Sequence, residues 1–134
     1  MIATQFDFQS MSLSYANAAH NAPYHLMSSP NGYELKPLAQ RGFRLGETKN
    51  VDKPEQTTLS FKSGDLFFFY TDGLIECSNH DREQFGKKRV RSLLQAHAAS
   101  GPENLLNAVV TDFKNFVKDK AYDDDVTLVA LQIL

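Results

Sequence analysis

Apolar and polar positions alternate through much of the first half of the chain and recur every three or four residues in the second half. Successive side chains of a strand point to opposite faces, so the alternation over residues 2–8 and 11–18 predicts a β-hairpin. Placing Gln9-Ser10 at the turn sets Phe6 opposite Leu13 and gathers the large side chains on one face.

The remaining apolar segments predict an α+β fold with an antiparallel β-sheet and two helices in the second half. Short apolar runs between turn residues predict further strands at residues 24–27, 33–38, 57–61, 66–70 and 126–134. Helical spacing predicts one helix over about residues 86–98 and a second helix that opens at a capping box, Ser100 to Glu103. The polar residues 39–56 predict a surface loop. This order of elements is typical of an α+β layer sandwich.

Acidic residues stand at the ends of the two most apolar predicted strands. The run from Leu66 to Tyr70 predicts a strand that is buried on both faces, and Asp72 follows it closely. Asp123–Asp125 directly precede the last strand. Because the end of one strand lies beside the start of its antiparallel neighbour, the two acidic segments would share one edge of the sheet.

These acidic segments have both a functional and a structural interpretation. Close carboxylates repel each other, and a hard divalent cation such as Mg²⁺ or Mn²⁺ offsets that repulsion. Gly73 would let the backbone turn sharply beside Asp72 and keep such a site open to water. Asp-Gly after a strand is also typical of an ordinary turn, and an acidic triplet is typical of a solvated loop. Spacing alone leaves both interpretations open.

Composition limits the class of protein. The 134 residues are 42% hydrophobic and 22% charged, which predicts a single folded domain over residues 1–134. The formal net charge of -2 gives no electrostatic basis for expecting a nucleic acid or an acidic membrane as partner. The single cysteine, the short apolar runs and the absence of a signal-peptide pattern at the start predict a cytoplasmic protein.

Four ordered motifs, which together cover essentially the whole chain, resemble the SpoIIE-like phosphatase domain. That domain belongs to the metal-dependent type 2C (PPM) class of protein serine/threonine phosphatases. The segments GDLFFFYTDGLIECSN…FG (64–86) and DDDVTLVAL (123–131) resemble its closing half. YANAAHNAPYHL (15–26) and RGFRLG (41–46) resemble two earlier segments. The resemblance implies part of an α-β-β-α sandwich.

The resemblance also implies a site. Asp72 and Asp124 would be ligands of a two-metal Mn²⁺ or Mg²⁺ cluster, whose bound water attacks the phosphorus of a phosphoserine or phosphothreonine. Gly73, Asp125 and His20 would be neighbours of the metal site or the active site. The family's substrates imply a phosphorylated anti-sigma factor antagonist as partner, with a sensor or receiver domain upstream in the parent protein.

Two departures from the family pattern qualify this prediction. Ala19 stands where the family has a glycine; if that position needs a positive φ, alanine costs about 1 kcal/mol there. The family's upstream Asp-x-Ser-Gly-His-Gly segment, which supplies the bridging aspartate, does not occur in the 134 residues. We therefore expect a C-terminal portion of the domain, lacking its N-terminal part, with half a metal site and no activity by itself.

Three further expectations follow. Loss of half of a two-sheet sandwich would expose apolar sheet surface and favour self-association. The alternative to an enzyme is a catalytically inactive domain that binds a regulatory partner in bacterial signalling. The start of the first long helix carries a basic cluster of Lys87, Lys88, Arg89 and Arg91. The cluster would either steer a phosphorylated protein or, as we expect, form a solvated face.

Overall fold

The computed structural model of the chain describes residues 1–40, 42, 44–46 and 55–134. In these parts the elements follow one another in this order: β1 (Ile2–Asp7), β2 (Ser12–Asn17), β3 (Tyr24–Ser29), β4 (Gly32–Pro37), β5 (Thr57–Ser60), β6 (Leu66–Tyr70), α1 (Asp72–Glu76), α2 (Gly86–His97), a 3-10 turn (Ala98–Ser100), α3 (Pro102–Val117) and β7 (Leu128–Gln132). The mixed α+β class with antiparallel strands is confirmed.

The strands form two antiparallel sheets, in the orders β1-β2-β5 and β4-β3-β6-β7. Residues 57–61 and 66–70, predicted as strands joined by a short connection, therefore belong to different sheets. The side chains of β6 alternate between two cores. Phe68 and Tyr70 pack with the helices, whereas Phe67 packs with the three-stranded sheet. The predicted burial of this strand on both faces is confirmed.

The β1–β2 hairpin has the predicted register, with Phe6 opposite Leu13, but a wider turn. The turn occupies residues 8–11 and not Gln9-Ser10 alone. The cause is Asp7, whose carboxylate oxygen Oδ1 accepts the backbone N–H groups of Gln9 and Ser10 at 2.8 and 3.1 Å. That contact ends the strand one residue earlier than alternation predicts.

The two long helices cover the four-stranded sheet with the predicted apolar stripes. The stripe of α2 buries Val90 and Leu94, and that of α3 buries one residue every four: Leu105, Val109, Phe113 and Val117. The predicted capping box is wrong. Gly101 precedes α3 with a φ of 84°, and the hydroxyl of Ser100 instead donates to the carbonyl of His97 at 2.6 Å.

Two other elements differ from the prediction, and one further prediction is confirmed in part. The short helix α1 was not predicted, because five residues are too few to show helical periodicity. The last strand begins at Leu128, two residues later than expected. The loop predicted over residues 39–56 is confirmed where it is described, and the rest of it lies outside the described residues. Among the described helices, none has the length and apolar character needed to cross a membrane.

Candidate active site

The pairing of β6 with β7 places the two acidic segments side by side. Tyr70 pairs with Leu128, and the contact continues beyond the strands through Thr71. The Thr71 N–H donates to the carbonyl of Thr127 at 3.1 Å, and the Thr71 hydroxyl donates to the carbonyl of Asp125 at 3.0 Å. The same hydroxyl accepts the N–H of Thr127 at 2.9 Å. These bonds hold residues 71–73 against residues 124–127.

Gly73 is required for this close approach. It is buried in α1, and a Cβ at this position would overlap the carbonyl of Asp125 and lie 3.2 Å from that of Asp124. The predicted sharp turn at Gly73 is therefore wrong. The residue is helical, and its missing side chain makes room for the backbone that carries Asp124 and Asp125.

The three aspartates before β7 make different contacts. Asp123 accepts the N–H and the hydroxyl of Ser78 at 3.1 Å each and binds the Lys120 ammonium at 2.9 Å. We call these three residues the Asp123 clasp. The hydrogen bond from Lys120, followed by those from Ser78, lowers the pKa of Asp123 to about 2. Asp124 accepts the N–H of Asp125 at 2.7 Å, and both of these side chains are exposed.

Asp72 lines an open cleft of about 700 Å³ together with the predicted neighbour His20, and with Asn21, Glu76, Arg44 and Lys87. Asp72 is exposed at the first residue of α1. The structure therefore brings Asp72 into one cleft with His20 and brings its helix against the segment of Asp124 and Asp125. That the carboxylates of Asp72 and Asp124 converge on one ion stays a prediction.

His20 is held by Asn17, a residue that sequence reasoning missed. The buried Asn17 amide accepts the N–H of His20 at 2.7 Å and donates to its carbonyl at 3.0 Å. The Nδ1 of His20 lies 2.8 Å from the carbonyl of Asn21. Because a carbonyl only accepts, Nδ1 carries the proton there and Nε2 is the basic nitrogen of the neutral ring. The signal that could have identified this contact is an asparagine at the end of a strand, three residues before the histidine.

Ala19, in the same loop, has a φ of 54°. The positive φ considered for this position is therefore present, and a residue with a Cβ occupies the left-handed region. The two hydrogen bonds from the Asn17 amide to the N–H and the carbonyl of His20 offset this strain. The loop shape around His20 thus depends on one buried amide.

The donor chemistry fits part of a site for a hard divalent cation. Asp72 and Asp124 offer exposed carboxylate oxygens on segments that touch, and such oxygens are the ligands that Mg²⁺ and Mn²⁺ prefer. The described residues contain no group of three or more His, Cys, Asp or Glu side chains that could hold an ion. The described part of the chain therefore presents a partial donor set.

The arrangement of two antiparallel sheets with helices over one of them matches part of the fold of PP2C-type phosphatase domains. The SiaA-PP2C domain of Pseudomonas aeruginosa superposes with a TM-score of 0.77 at 22% identity, over 98% of this chain and 50% of that chain. The phosphatase domain of SpoIIE from Bacillus subtilis, presoaked with Mn, gives a TM-score of 0.67 at 13% identity, over 99% and 56% of the two chains.

Sequence comparison identifies the family. The family described as Stage II sporulation protein E (SpoIIE) matches residues 1–134, and the chain belongs to this family. Protein IcfG of Synechocystis sp. is 26% identical over 136 residues, which cover 98% of this chain and 20% of IcfG. The chain thus spans a fifth of this curated relative and about half of the two phosphatase structures. The resemblance predicted from the four motifs is confirmed.

Proposed function

We propose that this chain is the C-terminal portion of a metal-dependent protein serine/threonine phosphatase domain. The observation that carries the proposal is the contact between the Asp72 segment and the Asp124 segment at the end of the β6–β7 pair. Membership of the SpoIIE family supports the same reaction class. The proposed substrate is a phosphorylated regulatory protein of the anti-sigma factor antagonist type, with an upstream sensor or receiver domain in the parent protein and a cytoplasmic location.

The chain's own residues have separate roles in this proposal. Asp72 and Asp124 would hold Mn²⁺ or Mg²⁺, which when bound supplies an activated water for attack on phosphorus. Thr71 and Gly73 fix the spacing between the two acidic segments. The cleft in front of Asp72 admits the phosphorylated side chain, and His20 forms part of its wall.

Substitution of the two proposed ligands tests this function in a longer protein that includes the upstream part of the domain. We expect Asp72→Asn and Asp124→Asn each to abolish Mn²⁺-dependent release of phosphate from a phosphoserine protein while the fold persists, because each removes one anionic metal ligand. Asp81→Asn, which removes an exposed carboxylate outside the site, is the matched control and should retain activity. Near-normal turnover of Asp72→Asn at limiting Mn²⁺ would show that Asp72 is not a ligand.

The isolated 134-residue chain should be inactive and bind divalent metal weakly. Mg²⁺ gives up its water reluctantly, so two carboxylates offer little to offset its dehydration. The chain and its upstream-extended version should be assayed side by side with Mn²⁺ and the same phosphoserine protein. Comparable metal-dependent turnover from both would contradict this expectation.

A catalytically inactive domain that binds a regulatory partner is the second candidate. The partial donor set among the described residues favours it. The same assay separates the two functions. An upstream-extended protein that binds its partner but releases no phosphate with Mn²⁺ would support the binding function and remove the phosphatase.

A further inference from the structure

The cations of the basic cluster on α2 are not equivalent. The guanidinium of Arg89 lies 4.3 Å from the ring centroid of Phe116 and 5.3 Å from that of Phe85, so it packs on the helix-side core. The ammonium of Lys87, by contrast, makes no hydrogen bond or ion pair with any residue in the described ranges. Of the four cations on the predicted solvated face, Arg89 therefore has a structural contact, whereas the charged groups of Lys87, Lys88 and Arg91 form no hydrogen bond or ion pair with a described residue.

Lys87 lies on the wall of the cleft that contains Asp72 and His20. It is exposed, and it occupies the first turn of α2, where the helix dipole disfavours a positive charge. Neither Asp72 nor Glu76, the acidic residues of the same cleft, lies within ion-pair distance of it. The helix and its neighbours therefore give Lys87 no stabilising contact that would explain its position.

We propose that Lys87 is a substrate-binding residue that contacts an anionic group of the phosphorylated protein in the cleft. This inference rests on the proposed phosphatase function. A phosphoserine brings close to two negative charges into the cleft, and a lysine is a compact cation with three donors that binds phosphate or carboxylate oxygens. The anionic group is the phosphoryl group itself or a carboxylate next to the phosphoserine.

Lys88 provides a matched control. It has the same charge on the same turn of α2 and is also exposed, but it is not part of the cleft wall. Lys87→Glu and Lys88→Glu change the net charge by the same amount. A general electrostatic attraction weakens equally in both variants, whereas a contact within the cleft is lost in only one.

The test measures fluorescence anisotropy of labelled peptides with the 134-residue chain in Mn²⁺ at fixed ionic strength. The probes are a phosphoserine peptide with neutral neighbours, the same peptide with glutamate neighbours, and the glutamate peptide without phosphate. We expect Lys87→Glu to weaken phosphopeptide binding about tenfold more than Lys88→Glu, with both variants folded by circular dichroism. A loss with the neutral phosphopeptide assigns the contact to the phosphoryl group, and a loss only with glutamate neighbours assigns it to a carboxylate.

Equal losses in the two variants, or no phosphopeptide binding by the unsubstituted chain, would overturn the proposal. Its failure is distinct from failure of the phosphatase function. If Lys87→Glu loses binding selectively but the upstream-extended protein shows no Mn²⁺-dependent turnover, the anion site stands and the enzyme assignment falls. If turnover is present and the two variants behave alike, only the role of Lys87 is refuted.

Discussion

At the scale of single residues, the polar side chains next to the cleft determine the local shape of the backbone. The Asn17 amide bonds to the N–H and the carbonyl of His20. Ala19, which lies between Asn17 and His20 in the chain, takes a positive φ. All three aspartates of the triplet are exposed, but only Asp123 is bound in a structural clasp, so Asp124 and Asp125 are the two that form no ion pair with a described residue. Two predictions belong to this scale.

Ala19→Gly should stabilise the chain by up to about 1 kcal/mol, because glycine enters the left-handed region without a Cβ penalty. Part of that gain is offset by the greater freedom of glycine in the unfolded chain. Urea unfolding measures the change. Ala18→Gly is the control: its φ is not positive, so the substitution should only destabilise. An Ala19→Gly protein less stable than the parent would show that the strain at the positive φ is smaller than the entropy that glycine adds to the unfolded chain.

The Asp123 clasp should persist in moderately acidic solution. Hydrogen bonds from Lys120 and Ser78 lower the pKa of Asp123 from 3.8 to about 2 in the folded state. A lowered folded-state pKa means that the contribution is fully present above 3.8 and lost as the pH falls through about 2. An NMR titration of the Asp123 carboxyl checks this, and Lys120→Met should move its pKa back towards the ordinary value. An unchanged pKa in that variant would contradict the clasp.

At the scale of elements, the site depends on how α1 meets the segment before β7. Helix α1 begins just after the buried strand β6. At Gly73 its backbone packs directly against the backbone of residues 124–125. Because Thr71 continues the hydrogen bonding of the two strands, the sheet itself sets the distance between the acidic segments. Asp72 is therefore positioned by a helix, whereas Asp124 lies in the irregular segment before β7, which the contacts of Thr71 and Gly73 hold against α1.

Gly73→Ala should separate the two acidic segments. The new Cβ would overlap the Asp125 carbonyl, and relieving the overlap should cost about 1–3 kcal/mol of stability. In the upstream-extended protein the apparent Mn²⁺ affinity should fall as well. Gly32→Ala is the control. Its new Cβ would meet nothing within 4 Å, but because the φ of Gly32 is 115° the substitution strains the backbone, and this strain lies far from the site. Unchanged Mn²⁺ affinity in Gly73→Ala would show that the spacing does not matter.

At the scale of the whole molecule, the two ends of β6 differ in their chemistry. Before the strand, the buried Asp65 binds the ring of buried His25 at 2.8 Å and accepts the N–H groups of Ser28 and Lys62, which ties the sheets together. After the strand, Asp72 faces an open cleft. The satisfied buried pair serves the fold, and the exposed acid is available for chemistry.

The edges of the four-stranded sheet also differ. The edge strand β4 carries Glu34, Lys36 and Pro37, which discourage pairing with another chain. The other edge, β7, has no charged residue or proline, and the side chain of Val129 is 49% exposed. Such an edge is a template for another strand.

We therefore expect the isolated chain to self-associate through β7. Val129→Lys should shift it towards the monomer, because a charge on an exposed edge opposes strand pairing. Sedimentation velocity over a concentration series measures the change. Thr58→Lys, on the exposed part of edge strand β5 in the other sheet, is the control and should leave the association unchanged. Equal association of the parent and Val129→Lys chains would exclude β7 as the contact.

Much of the fold follows from local patterns. Alternation predicted the register of the β1–β2 hairpin, and helical spacing predicted the buried stripes of α2 and α3. The unbroken apolar run predicted that β6 is buried on both faces. The sequence also predicted that Asp72 and the aspartate triplet lie at one edge of the sheet, because antiparallel pairing places the end of one strand beside the start of its neighbour. Periods of two and of three to four residues are properties of a segment, so the sequence alone carries them.

Contacts between distant segments decided the rest. Only the tertiary structure assigned β5 and β6 to different sheets, gave Gly73 its role against the carbonyl of Asp125, and joined Ser78 to Asp123. It also placed Lys87, from the face of α2 that was predicted to be solvated, in the cleft of Asp72. Residues separated by tens of positions leave no periodic trace in the sequence, because their encounter depends on how whole elements pack. The amino-acid sequence thus determined which residues could do chemistry, and the packing of the elements determined which of them meet.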